Sequence, residues 1–376
     1  MQYASYDSIA ALVRGKTTDD PVFCFHPPAL RAVAAHFLRG FPGTVQYAVK
    51  ANPHPIVLQS LYDGGIRHFD TASLAEIALI RELFPDAGSS YNHPVKPRAA
   101  IEEAYTRWGI RDYVIDHAAE LDKLLAVAGT DIVVQVRVAA PNPHATISFN
   151  SKFGATPADT VALLKAVRAR GARAAICTHL GYQTIDPLAF ASGIRVIAQV
   201  VSEAGFDPEY VNLGGGFPSV LMPAGRTLDD FFTTIRTTVA AEPRLAHLPL
   251  RCEPGSALAH PGGSALAQVH LVKEDSIYIN DGVYGALAEL PYTKKQPPSH
   301  VYAPDGSLRL GAGRSYTVFG PTCDSVDTMP VRFELPQDIR EGDWLHLGVL
   351  GAYSHTLITD FNGLGRHEVA RIDDAA

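Results

Sequence analysis

Between residues 45 and 253, apolar runs of strand length alternate with amphipathic runs of helix length. The strand-like runs are "TVQYAV", "IRHFD", "SSYNH", "DYVID", "DIVVQVRV", "AAICTHL", "EYVNL" and "LRCE". Between them lie stretches with helical spacing of apolar positions, among them "SLAEIALIRELF", "TPADTVALLKAVRAR" and "DPLAFASGIRVIAQVVSEAG". The last two open on Thr-Pro and Asp-Pro, which suit a helix start because proline fixes φ where no N–H partner is needed. Eight such alternations predict the α/β class and a (β/α)8 TIM-type barrel, with a doubly wound open sheet as the alternative.

The period changes after about residue 256. "ALAQVHLVKEDSIYIND", "SLRLGAGRSYTVFG" and "DWLHLGVLGAYSHTLI" read as strands separated by Gly, Pro, Asp and Asn turns. The expected division is a barrel over residues 23–255 and a β-rich C-terminal domain over 256–376, with residues 1–22 packing against the latter. "QPPSHVYAPDGS", residues 296–307, reads as an exposed loop.

Composition narrows the partners. The net charge is -7 and the pI near 6.1, which argues against general nucleic-acid affinity, since phosphate binding needs clustered Lys and Arg. No apolar run reaches membrane-spanning length, and the start shows no basic region followed by an apolar stretch. Cys24, Cys177 and Cys252 sit in apolar runs and read as small buried hydrophobes, whereas Cys323 stands in the Gly-Pro loop "FGPTCDSVD". These features point to the cytoplasm and to no membrane partner.

Candidate chemistry collects at strand ends. Lys50 closes the first run in "YAVKANPHP", either as a solvated terminus or as an amine held for reaction. Asp70, Arg137, His179 and Glu253 end other barrel runs, and the C-terminal strand ends of such a barrel form one mouth. "VNLGGGFPS" contributes Gly214, Gly215 and Gly216, an anion cradle or a tight turn. It is not a dinucleotide fingerprint, because Ser219 stands where the third glycine belongs. An amine, an anion cradle and a strand-end acid together suggest pyridoxal phosphate, whose aldehyde takes a lysine and whose ring serves as an electron sink. No metal site is read.

The motifs "YAVKANP", "FDTASLAEI", "SKFGA", "THLGYQ", "NLGGGFP", "CEPG", "INDGVYG", "GPTCDSVD" and "GAYS", in this order, resemble the alanine-racemase-like (fold type III) pyridoxal-phosphate decarboxylases of the ornithine/lysine type. The resemblance implies a homodimer with active sites at the subunit interface and a polyamine-forming kind of reaction. It implies that Lys50 bonds the cofactor's aldehyde, Glu253 pairs with the pyridine nitrogen and His179 stacks on the ring. Gly214, Gly215, Gly216 and Tyr353 match phosphate contacts, while Asp70 and Arg137 match residues beside the lysine and cofactor. Cys323 and Asp324 match residues donated by the second subunit, the thiol protonating Cα after carbon dioxide leaves and the acid holding a distal amine.

Three departures stand out. The family's "EPGR" is "EPGS", so Ser256 replaces a phosphate-binding arginine, and Tyr182 replaces a serine in "THLGYQ". Both hydroxyls are expected to contact the phosphate in place of a charge-assisted bond. In "GALAELPYTKK", the aromatic Tyr292 is followed by Thr293 where the family has an acid for the distal amine, and Lys294 and Lys295 come next. The expected activity is decarboxylation of a diamino acid, or alternatively of a modified amino acid in a specialised pathway. An amino-acid racemase and a catalytically silent binding homologue are the further alternatives.

Overall fold

The computed structural model describes residues 3–142, 145–147 and 151–373. Strands Thr44–Ala48, His68–Thr71, Gly88–Tyr91, Asp112–Ile115, Val133–Arg137, Arg173–Cys177, Val211–Asn212 and Leu250–Cys252 close into a parallel barrel. Each overlaps one of the runs read as a strand, with Thr71, Gly88 and Arg173 lying one residue outside theirs. Closure is made by Arg251 and Cys252 pairing with Thr44 and Val45. The strands are short and rich in Val, Ile and Tyr, side chains that fit a pleated surface buried on both faces.

The connecting helices form where the caps predict them. Thr156 accepts from Asp159 N at 3.1 Å ahead of Pro157–Ala169. Asp186 does the same for Leu188 N at 3.0 Å ahead of Pro187–Ala204. Gly205, at φ 80°, ends the second of these in the left-handed region that only glycine enters cheaply.

Nine of the other strands form one sheet built around Gly263–Lys273, and Tyr182–Thr184 pairs antiparallel with Ala145–Ile147 in a separate two-stranded ribbon. That long strand pairs antiparallel with Val22–Phe25 on one side and with Trp344–Leu347 and Ser276–Ile279 on others. Val22–Phe25 therefore belongs to this sheet and not to the barrel, whose first strand is Thr44–Ala48. An isolated apolar tetrad carries no sign of its partner, and its neighbours are supplied by segments more than two hundred residues away. Ala4–Tyr6 pairs parallel with Glu368–Ile372 in the same sheet. The "QPPSHVYAPDGS" segment is also not all loop, because Ser299–Tyr302 pairs with Trp344–Leu347 and buries Val301.

Barrel and sheet share a continuous apolar core reaching from Phe23 and Phe25 through Tyr47 and Phe217 to Val318 and Leu347. Two hydrogen bonds tie the loop after Trp344–Leu347 to the turn carrying Lys50. Tyr353 N donates to Ala51 O at 3.0 Å, and Asn52 Nδ2 donates to Gly351 O at 2.8 Å. Among the described residues no helix is long and apolar enough to cross a membrane.

Candidate active site

Lys50 lies in a single turn of 3₁₀ helix, Val49–Ala51, directly above the first barrel strand. Ala48 pairs with Asp70, so the lysine and that acid share the barrel rim. The amine is exposed, and no hydrogen bond or ion pair engages it among the described residues. It opens into a cavity of 350 Å³ lined by Lys50, Ile147, Tyr182, Glu289, Tyr292, Tyr353 and Leu357.

Asp70 and Glu253 stand behind the lysine. Asp70 is 6% exposed, and burial raises its pKa against the lowering pull of Lys50, Asn92 and Arg137. Glu253 is pushed up to about 8, first by loss of water and then by the neighbouring Asp70. Its Oε1 accepts from Asn92 Nδ2 at 2.7 Å and from Asn212 Nδ2. Behind these amides, Gln135 Nε2 donates to Asn92 Oδ1 at 3.0 Å and to Asp112 Oδ1 at 2.8 Å, while Gln135 Oε1 accepts from Asn212 at 2.9 Å. A carboxyl held by amides and not by a cation can change protonation with its partner, which suits pairing with a heteroaromatic nitrogen.

His179 follows the strand Arg173–Cys177. Its Nδ1 accepts from Gly181 N at 3.1 Å, and its pKa is driven well below 6.5 by desolvation, with Arg137 and Lys50 adding to the effect. The ring is neutral and its Nε2 carries the proton, so a flat uncharged face is available. Arg137 lies over the Phe153 ring at 5.5 Å, and its Nη2 is buried without a partner among the described residues.

The glycine turn is crowded from beneath. A Cβ on Gly214 would stand 2.2 Å from Thr178 O, and one on Gly216 would stand 2.7 Å from Gly181 O, with φ at 68° and 96°. Both crowding and left-handed backbone exclude any other residue there. Neither Gly215 nor Gly216 donates its N–H to another group among the described residues. Ser256, 7% exposed, opens the short helix Ser256–Ala259 that follows Glu253.

Pyridoxal phosphate fits this donor set. The free glycine N–H groups, the buried Tyr182 Oη without a partner and the unengaged Lys50 amine are groups an anionic aldehyde would satisfy. Tyr353 sits at φ 52°, strained for a tyrosine, with its ring 6.0 Å from that of Tyr182. Tyr182, Tyr353 and Tyr292 thus meet Lys50 in one cavity.

Other expected residues lie elsewhere. Thr293 is buried and lines an adjoining 590 Å³ cavity, not the one at Lys50. Cys323 and Asp324 do not line the lysine cavity either. Cys323 is exposed, and Asp324 accepts from Tyr284 Oη at 2.5 Å, a bond that lowers the acid's pKa. Their loop is held by Asp327, which accepts from Thr322 N at 3.0 Å and Val283 N at 2.8 Å. Asn92, Asn212, Gln135, Glu289 and His260 were not read from the sequence. Asn92 could have been, since it directly follows its strand at the same rim as Asp70; a lone Glu or His in an apolar stretch gives no comparable sign.

A closed barrel with a lysine at its C-terminal rim, buried acids behind it and an anion turn beside it defines an enzyme built to hold a pyridoxal cofactor. Residues 29–260 match the family model described as pyridoxal-dependent decarboxylase, pyridoxal binding domain. The chain is 31% identical to a lysine/ornithine decarboxylase of Selenomonas ruminantium over 85% of this chain and 81% of that one. It is also 26% identical to antizyme inhibitor 2 of Xenopus laevis, over 89% and 76% respectively. The crystal structure of lysine decarboxylase from Selenomonas ruminantium superposes with a TM-score of 0.83 at 25% identity, covering 99% of this chain and 96% of that one. The chain belongs to the pyridoxal-dependent decarboxylase family: it is an amino-acid decarboxylase whose cofactor is pyridoxal phosphate.

Proposed function

We propose that the chain removes the α-carboxylate from a diamino acid of the ornithine or lysine type, as a homodimer in which each active site draws residues from both copies. The carrying observation is the bare Lys50 amine sharing one cavity with polar side chains, while Cys323 and Asp324 sit outside it on an exposed loop. That separation supports donation of the loop from a second copy. Relatives named for lysine and ornithine support the substrate class.

When bound, the cofactor supplies an electron sink for the charge left at Cα. Lys50 Nζ is the amine that would hold the cofactor by its aldehyde. Glu253 keeps a proton at the pyridine nitrogen, steadied by Asn92 and Asn212. His179 would offer the ring an uncharged face, and Asp70 and Arg137 set the field around Lys50. Gly214, Gly215, Gly216, Ser256, Tyr182 and Tyr353 would hold the phosphate, the two hydroxyls of Ser256 and Tyr182 standing in for a missing arginine. Cys323 Sγ of the second copy returns a proton to Cα, and Asp324, Tyr292 and Thr293 shape the far end of the substrate site. The division of the chain near residue 255 belongs to the same reading, supported by the change from barrel to sheet strands after Cys252. A reducing, cytoplasmic setting is supported by four free cysteines.

Carbon dioxide release from a panel of amino acids, with and without acylation of the distal amine, tests this. Release is expected from free ornithine or lysine and is expected to fall on acylation. Mixing the inactive variants Lys50→Ala and Cys323→Ala should restore part of the activity if sites are shared. Release confined to blocked amines, or no recovery on mixing, overturns the corresponding half of the proposal.

A further inference from the structure

One buried acid at the lysine cavity has no part in the roles above. Glu289 is 4% exposed and lines both the 350 Å³ cavity with Lys50 and the adjoining 590 Å³ cavity. His260 Nε2 lies 2.6 Å from its Oε2, while its Oε1 is buried and has no hydrogen-bond partner among the described residues. Lys295 lines the adjoining cavity too, but its Nζ donates to Val220 O at 2.7 Å and makes no ion pair with the carboxylate.

The proton positions along this chain of contacts follow from its far end. Gln183 Oε1 accepts from Ser219 N at 2.8 Å, which fixes Gln183 Nε2 as the donor to Ser219 Oγ at 2.9 Å. The Ser219 hydroxyl, already accepting, gives its own proton to His260 Nδ1 at 2.6 Å. The imidazole proton therefore resides on Nε2 and is donated to Glu289 Oε2. Full burial holds His260 neutral by lowering its pKa to about 3, so the ring orients the carboxyl without neutralising it. Gln183 itself sits in the left-handed region, at φ 49°. What remains is one oxygen, Oε1, buried and without a hydrogen-bond partner among the described residues, on a side chain that lines both cavities.

We infer that Glu289 Oε1 receives the cationic end of the substrate side chain, an ammonium or guanidinium, and supplies in this chain the negative charge that Thr293 does not. The inference rests on the diamino-acid reading and names the residue that enforces it. A cation brought into a buried cavity needs a partner of opposite charge. An anion there would be repelled, and the glycine turn already offers a place for one. An uncharged side chain of equal length would leave Oε1 unpaired, so the site rejects it. In the empty enzyme, burial raises the Glu289 pKa to about 8, so near neutral pH the carboxyl is protonated, and with Oε2 accepting from His260 the proton sits on Oε1. Entry of a cation then favours the ionised form.

The holoenzyme of wild type, Glu289→Gln, Glu289→Asp and Ser219→Ala would be assayed with ornithine and lysine, and with norvaline and norleucine, alongside the dissociation constant for pyridoxal phosphate. Glu289→Gln is expected to raise KM for the diamino acids about 10–100-fold more than for the uncharged analogues, as loss of a charge-assisted bond implies. Glu289→Asp should recover part of that selectivity. Ser219→Ala, which loosens His260 and leaves the carboxyl in place, should shift KM in the same direction by less, and it serves if Glu289→Gln does not fold. Equal changes for charged and uncharged substrates, or a weakened cofactor with selectivity intact, overturn the inference and leave the function standing. A wild-type enzyme inert toward every diamino acid overturns both.

Discussion

The two ends of the barrel interior treat their carboxylates in opposite ways. At the N-terminal end, Asp112 accepts from Tyr210 Oη at 2.6 Å, Arg251 Nη1 at 2.7 Å and Gln135 Nε2 at 2.8 Å, and Arg251 also stacks over the Tyr210 ring at 3.4 Å. At the C-terminal end, Asp70 and Glu253 meet amide donors but, among the described residues, no hydrogen-bonded cation, and both acids are raised. Gln135 joins the two ends, since its Nε2 touches both Asp112 and Asn92. One end spends its charges on holding the strands together. The other leaves acids, an amine and buried polar atoms short of partners, which costs stability and leaves room for a ligand to make up the difference.

If the ends differ in this way, substitutions at each should fail differently. Glu253→Gln should lower the decarboxylation rate about 10²–10³-fold, the range seen when one preorganised electrostatic partner is lost. Because Gln can still accept from Asn92 and Asn212, its unfolding midpoint should stay level or rise. A large loss of stability would show that the two ends are alike after all. Asp112→Ala should do the reverse, costing about 2–3 kcal/mol in denaturant unfolding by stranding the half-buried Arg251, with kcat of the folded fraction little altered.

The smallest effect is in pH dependence. Glu253 is raised from 4.5 to about 8, so the folded protein holds a proton that the unfolded chain has released. The stability of the cofactor-free protein should therefore fall as pH rises from about 4.5 to about 8, then level. Glu289, raised over the same window, adds to the slope with the same sign. Urea midpoints at pH 5 and pH 8 should differ more in wild type than in Glu253→Gln. Identical slopes would mean the burial of this acid has no energetic consequence.

Local pattern carried much of this protein. The valines of "DIVVQVRV" announce a buried strand, and Thr156 with Pro157 announces a helix start, because both depend on residues adjacent in the chain. Strand ends then place Lys50, Asp70 and Glu253 on one rim without further information. Val22–Phe25 shows where that logic stops. Four apolar residues form a strand anywhere, and only the sheet decides that its neighbours are Gly263–Leu266 and Glu368–Arg371.

By itself, then, the sequence determined the barrel, the family and the lysine, since periodicity and motif order are properties of neighbours along the chain. Tertiary structure alone decided the environment of each acid. Asn92 reaches Glu253 across 161 positions, and His260 reaches Glu289 across 29. Hydrogen bonds and the exclusion of water act through space, so which carboxyl is saturated and which is left open emerges only when distant segments meet.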